Sequence, residues 1–247
     1  MAFMWDVWHS MIEPLSSRVP YLVSMGNHEF EWSGSYWGGD SSHGECGVPV
    51  INRFKSPSNG NGILWYSMGS GPVHIVTLST EHDVAPGSDQ YKWLEADLAG
   101  VDRTKTPWVV VTAHRMLYST QMCEDGDKDR SEQYSQWLDG LLAKYKVNLV
   151  LVGHQHSYER TCPIINGTCA EPGQGGTTHV VVGSAGADLE QCGFSQLVGP
   201  WDVVHSNMYG FSRMTAARDS FRLQMVSNID GSLFDEVELQ QWPDDEA

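Results

Sequence analysis

Apolar residues recur at helical spacing in three stretches of the chain. They lie in residues 3–17, in residues 88–99, where Ser88 precedes the pattern as an N-cap residue, and in residues 131–145. A spacing of three and four residues places apolar side chains on one face of a helix. The pattern therefore predicts three amphipathic helices, the second of them capped by Ser88.

Short runs of β-branched and aromatic residues predict strands around these helices. The predicted strands are 19–25, 63–68, 73–79, 106–112, 147–152 and 179–182, with three more between 209 and 240 around a hairpin turn at 227–231. Residues 31–62, rich in Gly, Ser, Trp and Asn, predict a long loop. Buried strands that alternate with helices and lead into a β-rich end favour an α/β fold, with two sheets back to back and helices outside.

The length of the chain limits its number of domains, and its charge excludes some classes of partner. The chain has 247 residues, and we expect one domain over 1–247, with an α/β part to about residue 175 and a β-rich part over about 176–247. Acidic residues outnumber Lys and Arg by 31 to 15, a formal charge of −16. This balance argues against nucleic acid as a partner, and no apolar run is long enough to span a membrane. An anionic substrate would need a bound metal to offset the charge.

Three predicted strands end in residues that can bind metal. Residues 27–29 read Asn-His-Glu, His114 follows the second of these strands, and His154 and His156 follow the third. An isolated His-x-His pair is as often found in a solvated loop as in a metal site. Open α/β sheets, however, gather ligands at strand carboxyl ends, and neutral imidazole is a common metal ligand. We therefore expect these side chains to converge at one edge of the sheet.

The order of these motifs resembles the metallophosphoesterase superfamily. The octapeptide GHQHSYER (153–160), the segment STEHDVAPGSDQYKWLEADL (79–98) and AHRMLYS (113–119) are similar to its purple acid phosphatase branch. The resemblance covers about residues 3–240. It implies a metallophosphoesterase-type β-sandwich flanked by helices (α/β/β/α), incomplete at its N-terminus.

The resemblance also implies a binuclear centre of Fe(III) and a divalent ion, which is Zn, Mn or Fe. Asn27, His114 and His154 would bind the divalent ion, and His156 the ferric ion. His28 would contact the phosphate or protonate the leaving group. Two metal ions about 3.5–4 Å apart polarise a phosphoryl oxygen and activate a bound water. The expected reaction is acid phosphatase-type hydrolysis of small phosphate monoesters.

Other residues receive supporting roles. Metal-binding histidines are usually oriented by hydrogen bonds from neighbouring groups. We expect such support around the loop that holds His154 and His156 from four residues: Glu29, Tyr158, Glu159 and Arg160. The remaining histidines lack such neighbours and are expected to be structural: His9, His43, His74, His82, His179 and His205.

Two metal-binding motifs that the family places before Gly-Asn-His-Glu are absent from this sequence. They supply two aspartates and a tyrosinate, whereas the Gly-Asp pairs here, 39–40 and 126–127, both follow Asn27. Asp6 precedes Asn27 but lies on a helical pattern. We therefore expect an incomplete centre. A non-catalytic domain, or a phosphodiesterase or pyrophosphatase of the same superfamily, remain alternative functions.

The five cysteines include no Cys-x-x-Cys pair. Cys162 and Cys169 flank a turn that they could close as a disulfide, and Asn166 within it begins a glycosylation sequon. Both features favour a secreted, vacuolar or lysosomal protein, although no signal peptide is visible. An odd number of cysteines leaves at least one thiol outside such pairs.

Overall fold

The computed structural model describes residues 2–124, 126–195 and 199–243. The three helices that apolar spacing predicted are present, and two short ones lie in segments predicted as loop. The helices are α1 Ala2–Ser16, α2 Asn27–Phe30, α3 Val48–Arg53, α4 Asp89–Ala99 and α5 Asp127–Lys144. Ser88 caps α4, because its side chain accepts a hydrogen bond from the backbone of Tyr91. Helix α5 starts four residues earlier than predicted, after Gly126 in a left-handed conformation.

A large mixed sheet carries eight strands. Its strands are β1 Tyr66–Ser70, β2 Val73–Thr77, β3 Trp108–Thr112, β4 Leu149–Val152, β5 Tyr158–Ile165, β6 Thr168–Cys169, β7 Thr177–Val182 and β8 Asp202–Ser206. The order is β1-β2-β3-β4-β7-β5-β6, and β8 pairs with β5. Strands β2, β3, β4 and β7 are parallel, so their carboxyl ends share one edge of the sheet.

A small antiparallel sheet of three strands closes the described chain. Its strands are β9 Gly210–Ala216, β10 Phe221–Ser227 and β11 Leu233–Glu238, with β10 in the middle. Gly231, at φ +72°, lies in the turn between β10 and β11. The three strands and the turn were predicted from the sequence. The β-rich part expected from about residue 176 is divided between the two sheets, since β7 and β8 belong to the large one.

The core forms on both faces of the large sheet, as strand β3 shows. Trp108 and Val110 pack in the cluster that includes Phe221 of the small sheet, whereas Val109 and Val111 pack in the cluster formed with α4 and α5. Side chains alternate between the faces of a strand, so one buried strand contributes to two cores. The result is a layer of helices, the large sheet and the small sheet, so the two sheets lie back to back as the sequence predicted. Helices were expected on both outer sides; α4 and α5 pack on the large sheet, and no described helix contributes to the cluster with the small sheet.

One predicted strand is absent. Residues 19–25 have no strand assignment, and no strand of the described residues pairs with them. Met25 is instead buried in a third apolar cluster with Tyr66, whose hydroxyl donates to the carbonyl of Val23 at 2.9 Å. The prediction was wrong because an apolar run shows that a segment is buried and does not show that a neighbour completes its hydrogen-bond ladder.

Strand β5 was not predicted, because its sequence lacks an apolar alternation. Glu159 and Thr161 are buried, at 1% exposure each, beside the apolar Tyr158. Their polar groups are satisfied by hydrogen bonds to other parts of the chain. A strand whose buried positions are polar therefore resembles a loop in the sequence.

Two disulfides cross-link the described residues. One joins Cys162 to Cys169, the pair noted in the sequence, and the exposed Asn166 lies in the turn between them. The other joins Cys123 to Cys192 across 69 residues, a pairing that the sequence did not indicate. Cys46 carries a free thiol. None of the helices in the described residues is long and apolar enough to cross a bilayer.

A carboxylate of the small sheet ties the two sheets together. Asp235 on β11 accepts hydrogen bonds from Arg160 Nε at 2.6 Å, from Arg160 Nη2 at 2.9 Å and from the Tyr158 hydroxyl at 2.7 Å. Tyr158 and Arg160 were expected to orient the histidine loop, but their side chains have a different partner. Their side chains bond to Asp235, because successive β5 residues point alternately away from and towards the small sheet.

Replacing Asp235 with Asn should destabilise the protein in a pH-dependent way. Burial raises the pKa of Asp235, but the bonds from Arg160 and Tyr158 outweigh it and hold this pKa below its ordinary value. The stabilisation is thus complete above the unfolded pKa of about 3.9 and is lost as pH falls through the lower folded value. We expect Asp235→Asn to cost about 2 kcal/mol at pH 7 in urea unfolding, and less below about pH 4. Glu238→Gln, at an exposed position of the same strand, serves as the control, and an equal loss there would contradict the inter-sheet role.

The two disulfides should differ in their contribution to stability. A cross-link restricts the unfolded chain more when it closes a longer loop, and these disulfides span 69 and 7 residues. Replacing Cys123 and Cys192 with Ser should lower the free energy of unfolding by about 4 kcal/mol, against about 2.5 kcal/mol for Cys162 and Cys169. Denaturant titration of the two double variants measures both values, and the reverse order would refute the loop-length argument.

Candidate metal centre

Parallel pairing of β3 with β4 brings two histidines together. The ladder pairs Val111 with Val150 and Thr112 with Leu151. His114 and His154 each follow the last residue of their strand by two positions. The backbone N–H of Gly153 extends the contact by donating to the carbonyl of His114 at 2.9 Å. The register therefore delivers both imidazoles to the same point on the carboxyl edge.

Three potential ligand atoms meet there. Nε2 of His114 lies 2.8 Å from Oδ1 of Asn27 and 3.2 Å from Nδ1 of His154. Asn27 is buried, as the first residue of α2. Burial lowers the pKa of His114 well below its ordinary value, and the charges of His154 and Arg115 lower it further. His114 is therefore neutral near pH 7, the form in which imidazole binds metal.

Gly26 has no side chain and so leaves space between Glu29 and the ring of His114. A Cβ on Gly26 would lie 2.6 Å from Oε2 of Glu29 and 3.0 Å from Cε1 of His114. Glu29 and His114 thus lie on the same side of Gly26. Burial raises the pKa of the Glu29 carboxyl, against the opposing charge of His28.

His156 and His28 lie near this cluster. Both add to the charges that depress the pKa of His114. Nδ1 of His156 lies 2.7 Å from the carbonyl oxygen of Asp188, an acceptor, so Nδ1 carries the proton and Nε2 keeps its lone pair. His28 is exposed, with Nδ1 3.3 Å from the carbonyl of Ser41.

His154 has a second set of neighbours on the far side of its ring. Nε2 of His154 lies 3.0 Å from Oδ1 of Asp127 and 3.5 Å from Oε2 of Glu124. His154 itself adopts φ +63°, a left-handed conformation that is uncommon for a residue other than glycine. The contacts with His114 on one side and with Asp127 on the other set the direction of the ring.

A buried ionic network surrounds Asp127. Arg115 is 1% exposed; its Nε lies 2.9 Å from Glu81, and its Nη groups lie 3.6 Å from Glu31 and from Asp127. Burial raises the pKa of Glu81, and the charge of Arg115 opposes this shift only in part. The sequence did not indicate this network, although Arg115 is adjacent to His114 and Glu81 lies in the segment 79–98.

Glu124, Asp127 and His154 form a further group of potential ligands, with ligand atoms within 4.8 Å of one another. Nη1 of Arg115 lies 3.0 Å from the same nitrogen of His154. A guanidinium always carries a positive charge, and it would repel a cation at that point. We therefore interpret these carboxylates as partners of His154 and Arg115.

Glu159 supports the loop that follows His114. Its carboxylate accepts hydrogen bonds from Ser119 Oγ at 2.6 Å, from Thr120 N–H at 2.8 Å and from Thr120 Oγ1 at 2.8 Å. Glu159 was expected to orient the loop that holds His154 and His156. Its side chain instead bonds to the loop after His114, and Tyr158 and Arg160 bond to Asp235.

Four of the histidines predicted to be structural are buried or paired with a neighbouring side chain. Burial lowers the pKa of His82 to about 4 and that of His179 to about 3, so both rings are neutral near pH 7. His74 bonds to Asp97 at 2.7 Å, and His205 stacks on Phe194.

The donor atoms can be tested against a metal ion. Ligands about 2.0–2.2 Å from one ion lie about 3.0–3.5 Å from each other. The separations here, 2.8 Å between Asn27 and His114 and 3.2 Å between His114 and His154, are close to this range. Two neutral imidazoles and an amide oxygen fit one divalent ion. A ferric ion needs hard anionic oxygen ligands. In the part of the chain that the structure describes, the single group of three or more potential His, Cys, Asp and Glu ligands does not include His156.

Comparison with known proteins identifies the family of this chain. The calcineurin-like phosphoesterase family matches residues 4–158, more than half of the chain, and the chain belongs to that family. A second match, described as iron/zinc purple acid phosphatase-like protein C, covers residues 176–236. The chain is therefore a member of the purple acid phosphatase branch.

Relatives and a solved structure support the same placement. "Probable inactive purple acid phosphatase 27" of Arabidopsis thaliana is 41% identical over 223 residues, 86% of this chain and 36% of the relative. A "nucleotide pyrophosphatase/phosphodiesterase" of Hordeum vulgare is 32% identical over 96% of this chain and 67% of its own length. A purple acid phosphatase from yellow lupin (Lupinus luteus) seeds superimposes with a TM-score of 0.85 at 36% identity, over 95% of this chain and 43% of that one. The chain thus spans well under half of the Arabidopsis relative.

Enlarging Gly26 should weaken metal binding. The added methyl group of Gly26→Ala would press on Glu29 and on the ring of His114. We expect the affinity for zinc to fall about tenfold, measured by titration against a chromophoric chelator. Gly69→Ala is the matched control, because a Cβ there meets nothing within 4 Å. Equal affinities in the two variants would show that the close approach at Gly26 does not position His114.

Proposed function

We propose that this chain forms the divalent-metal half of a phosphoester-hydrolysing centre of the purple acid phosphatase type. The observation that supports the proposal is the meeting of Oδ1 of Asn27, Nε2 of His114 and Nδ1 of His154, with neighbouring atoms within 3.2 Å. An ion bound by these three atoms would supply a positive charge to polarise a phosphoryl oxygen and to lower the pKa of a bound water.

The other residues of the site take roles that suit phosphate chemistry. His28 follows Asn27 and is exposed, so its imidazole can reach a phosphate oxygen or hold the proton that the leaving group needs. His156, with Nε2 unprotonated, offers one ligand for the ferric ion of a binuclear centre whose other ion is Zn, Mn or Fe. In the described residues, no group of three or more potential His, Cys, Asp and Glu ligands includes His156, so carboxylates for such an ion are not gathered there.

We also propose a small phosphate monoester as substrate and a secreted, vacuolar or lysosomal location. The formal charge of −16 disfavours nucleic acid and a membrane surface as partners. Two disulfides and the exposed sequon residue Asn166 are typical of proteins in oxidising compartments.

Two observations favour other functions of the same site. The incomplete ligand set around His156, together with the name of the Arabidopsis relative, favours a non-catalytic domain. The name of the barley relative favours a phosphodiester or pyrophosphate as substrate.

Metal content and hydrolysis of the purified 247-residue chain test the proposal. We expect one zinc or manganese ion per chain after dialysis, no purple colour with iron, and little hydrolysis of p-nitrophenyl phosphate, because the ferric ligands are incomplete. His114→Ala should abolish metal binding. His28→Ala should leave metal binding unchanged and weaken the binding of inorganic phosphate to the zinc-loaded chain.

The other outcomes decide between the alternatives. Failure of zinc and manganese to bind would refute the metal centre and favour the non-catalytic domain. Two tightly bound ions with rapid turnover would contradict the argument from the incomplete ligand set. Faster hydrolysis of bis(p-nitrophenyl) phosphate or of a nucleotide pyrophosphate than of the monoester would favour a phosphodiesterase or pyrophosphatase.

A further inference from the structure

The two ring nitrogens of His154 have different surroundings. Nδ1 faces His114, whose Nε2 also lies 2.8 Å from Oδ1 of Asn27, whereas Nε2 faces Asp127, Arg115 and Glu124. A neutral imidazole carries one proton, and only the other nitrogen has a lone pair for a metal. His154 can therefore act as a ligand through Nδ1 only if its proton is on Nε2.

Two neighbours of Nε2 favour opposite positions of this proton. Nη1 of Arg115, 3.0 Å away, can only donate and would favour a bare Nε2. Oδ1 of Asp127, also 3.0 Å away, can accept and would favour a protonated Nε2. Arg115 is also held by carboxylates: its Nε lies 2.9 Å from Glu81, and its Nη1 lies 3.6 Å from Asp127, within ion-pair distance but beyond hydrogen-bond distance. A proton on Nε2 would make a charge-assisted hydrogen bond to the Asp127 carboxylate, which favours that position of the proton.

The position of Asp127 is itself restrained. Oδ2 accepts hydrogen bonds from the side-chain amide of Gln155 at 2.6 Å and from the backbone N–H of Glu124 at 3.1 Å, which leaves Oδ1 for the ring. Asp127 is 1% exposed and begins α5, where a negative charge is favourable. The disulfide of Cys123 anchors the chain just before this turn.

We propose that Asp127 is a positioning residue, which holds His154 in the Nε2–H tautomer and thereby leaves Nδ1 free for the metal. The proposal rests on the proposed function, because it assigns a role towards the ion of that site. In this proposal Asp127 acts through His154 and is not itself a ligand of the ion. Glu124 is half-exposed and lies 3.5 Å from Nε2, so it contributes less to this orientation.

Asp127→Asn tests the proposal, with Glu124→Gln as the matched control. The asparagine amide group can donate to Nε2, which would move the ring proton to Nδ1. Long-range ¹H–¹⁵N NMR of the metal-free chain reports the tautomer of His154, and competition with a chromophoric chelator reports zinc affinity. We expect Nε2–H in the wild type, Nδ1–H in Asp127→Asn, and a 10- to 100-fold loss of zinc affinity in that variant. Glu124→Gln should keep the tautomer and most of the affinity.

Several results would overturn the proposal. Nδ1–H in the wild-type chain would do so without any variant, even if Asp127→Asn failed to fold. An unchanged tautomer and affinity in a folded Asp127→Asn variant would do so as well. If the tautomer switches as expected but the wild type binds no zinc, the orientation by Asp127 is supported and the proposed metal-dependent function fails.

Discussion

The parallel hydrogen-bonded pairing of β3 with β4 is the interaction on which the site depends. It places His114 and His154 at equal distances beyond their strands, and the Gly153–His114 backbone bond continues it into the loops. Both strands are buried on two faces, so the hydrophobic effect that forms the core also sets the distance between the imidazoles. A change in register by one residue would turn one histidine away from the other.

Burial of charge beneath the histidines is the second constraint. Arg115 lies among the carboxylates of Glu31, Glu81 and Asp127, where water cannot compensate an unpaired group. Removing one partner from such a network typically destabilises a protein by about 3–5 kcal/mol, whereas the intact network adds little net stability. The network is therefore better explained by the side chains and segments that it positions than by its stability. Asp127 links it to His154, and Glu31 links it to the segment after Asn27.

The sequence predicted those parts of the protein that follow from periodicity. Helices α1, α4 and α5, the buried strands and the three final strands were recognisable because one face or both faces are apolar. Strand β5 was not, because Glu159 and Thr161 occupy its buried positions. The convergence of Asn27, His114 and His154 was expected from strand ends alone, whereas Asp127, Arg115 and Cys192 were missed. Their partners lie far away in the chain, and nothing local indicates which side chains will meet.

The disulfide between Cys123 and Cys192 closes a covalent ring, and the segment that holds Asp127, His154 and His156 is part of this ring. The exposed residues 171–174 lie within that ring but outside the small loop closed by Cys162 and Cys169. If a protease cut the chain there, the two fragments would remain joined until the disulfide was reduced. The histidine loop would then keep its attachment to both halves of the molecule after the peptide backbone had been severed.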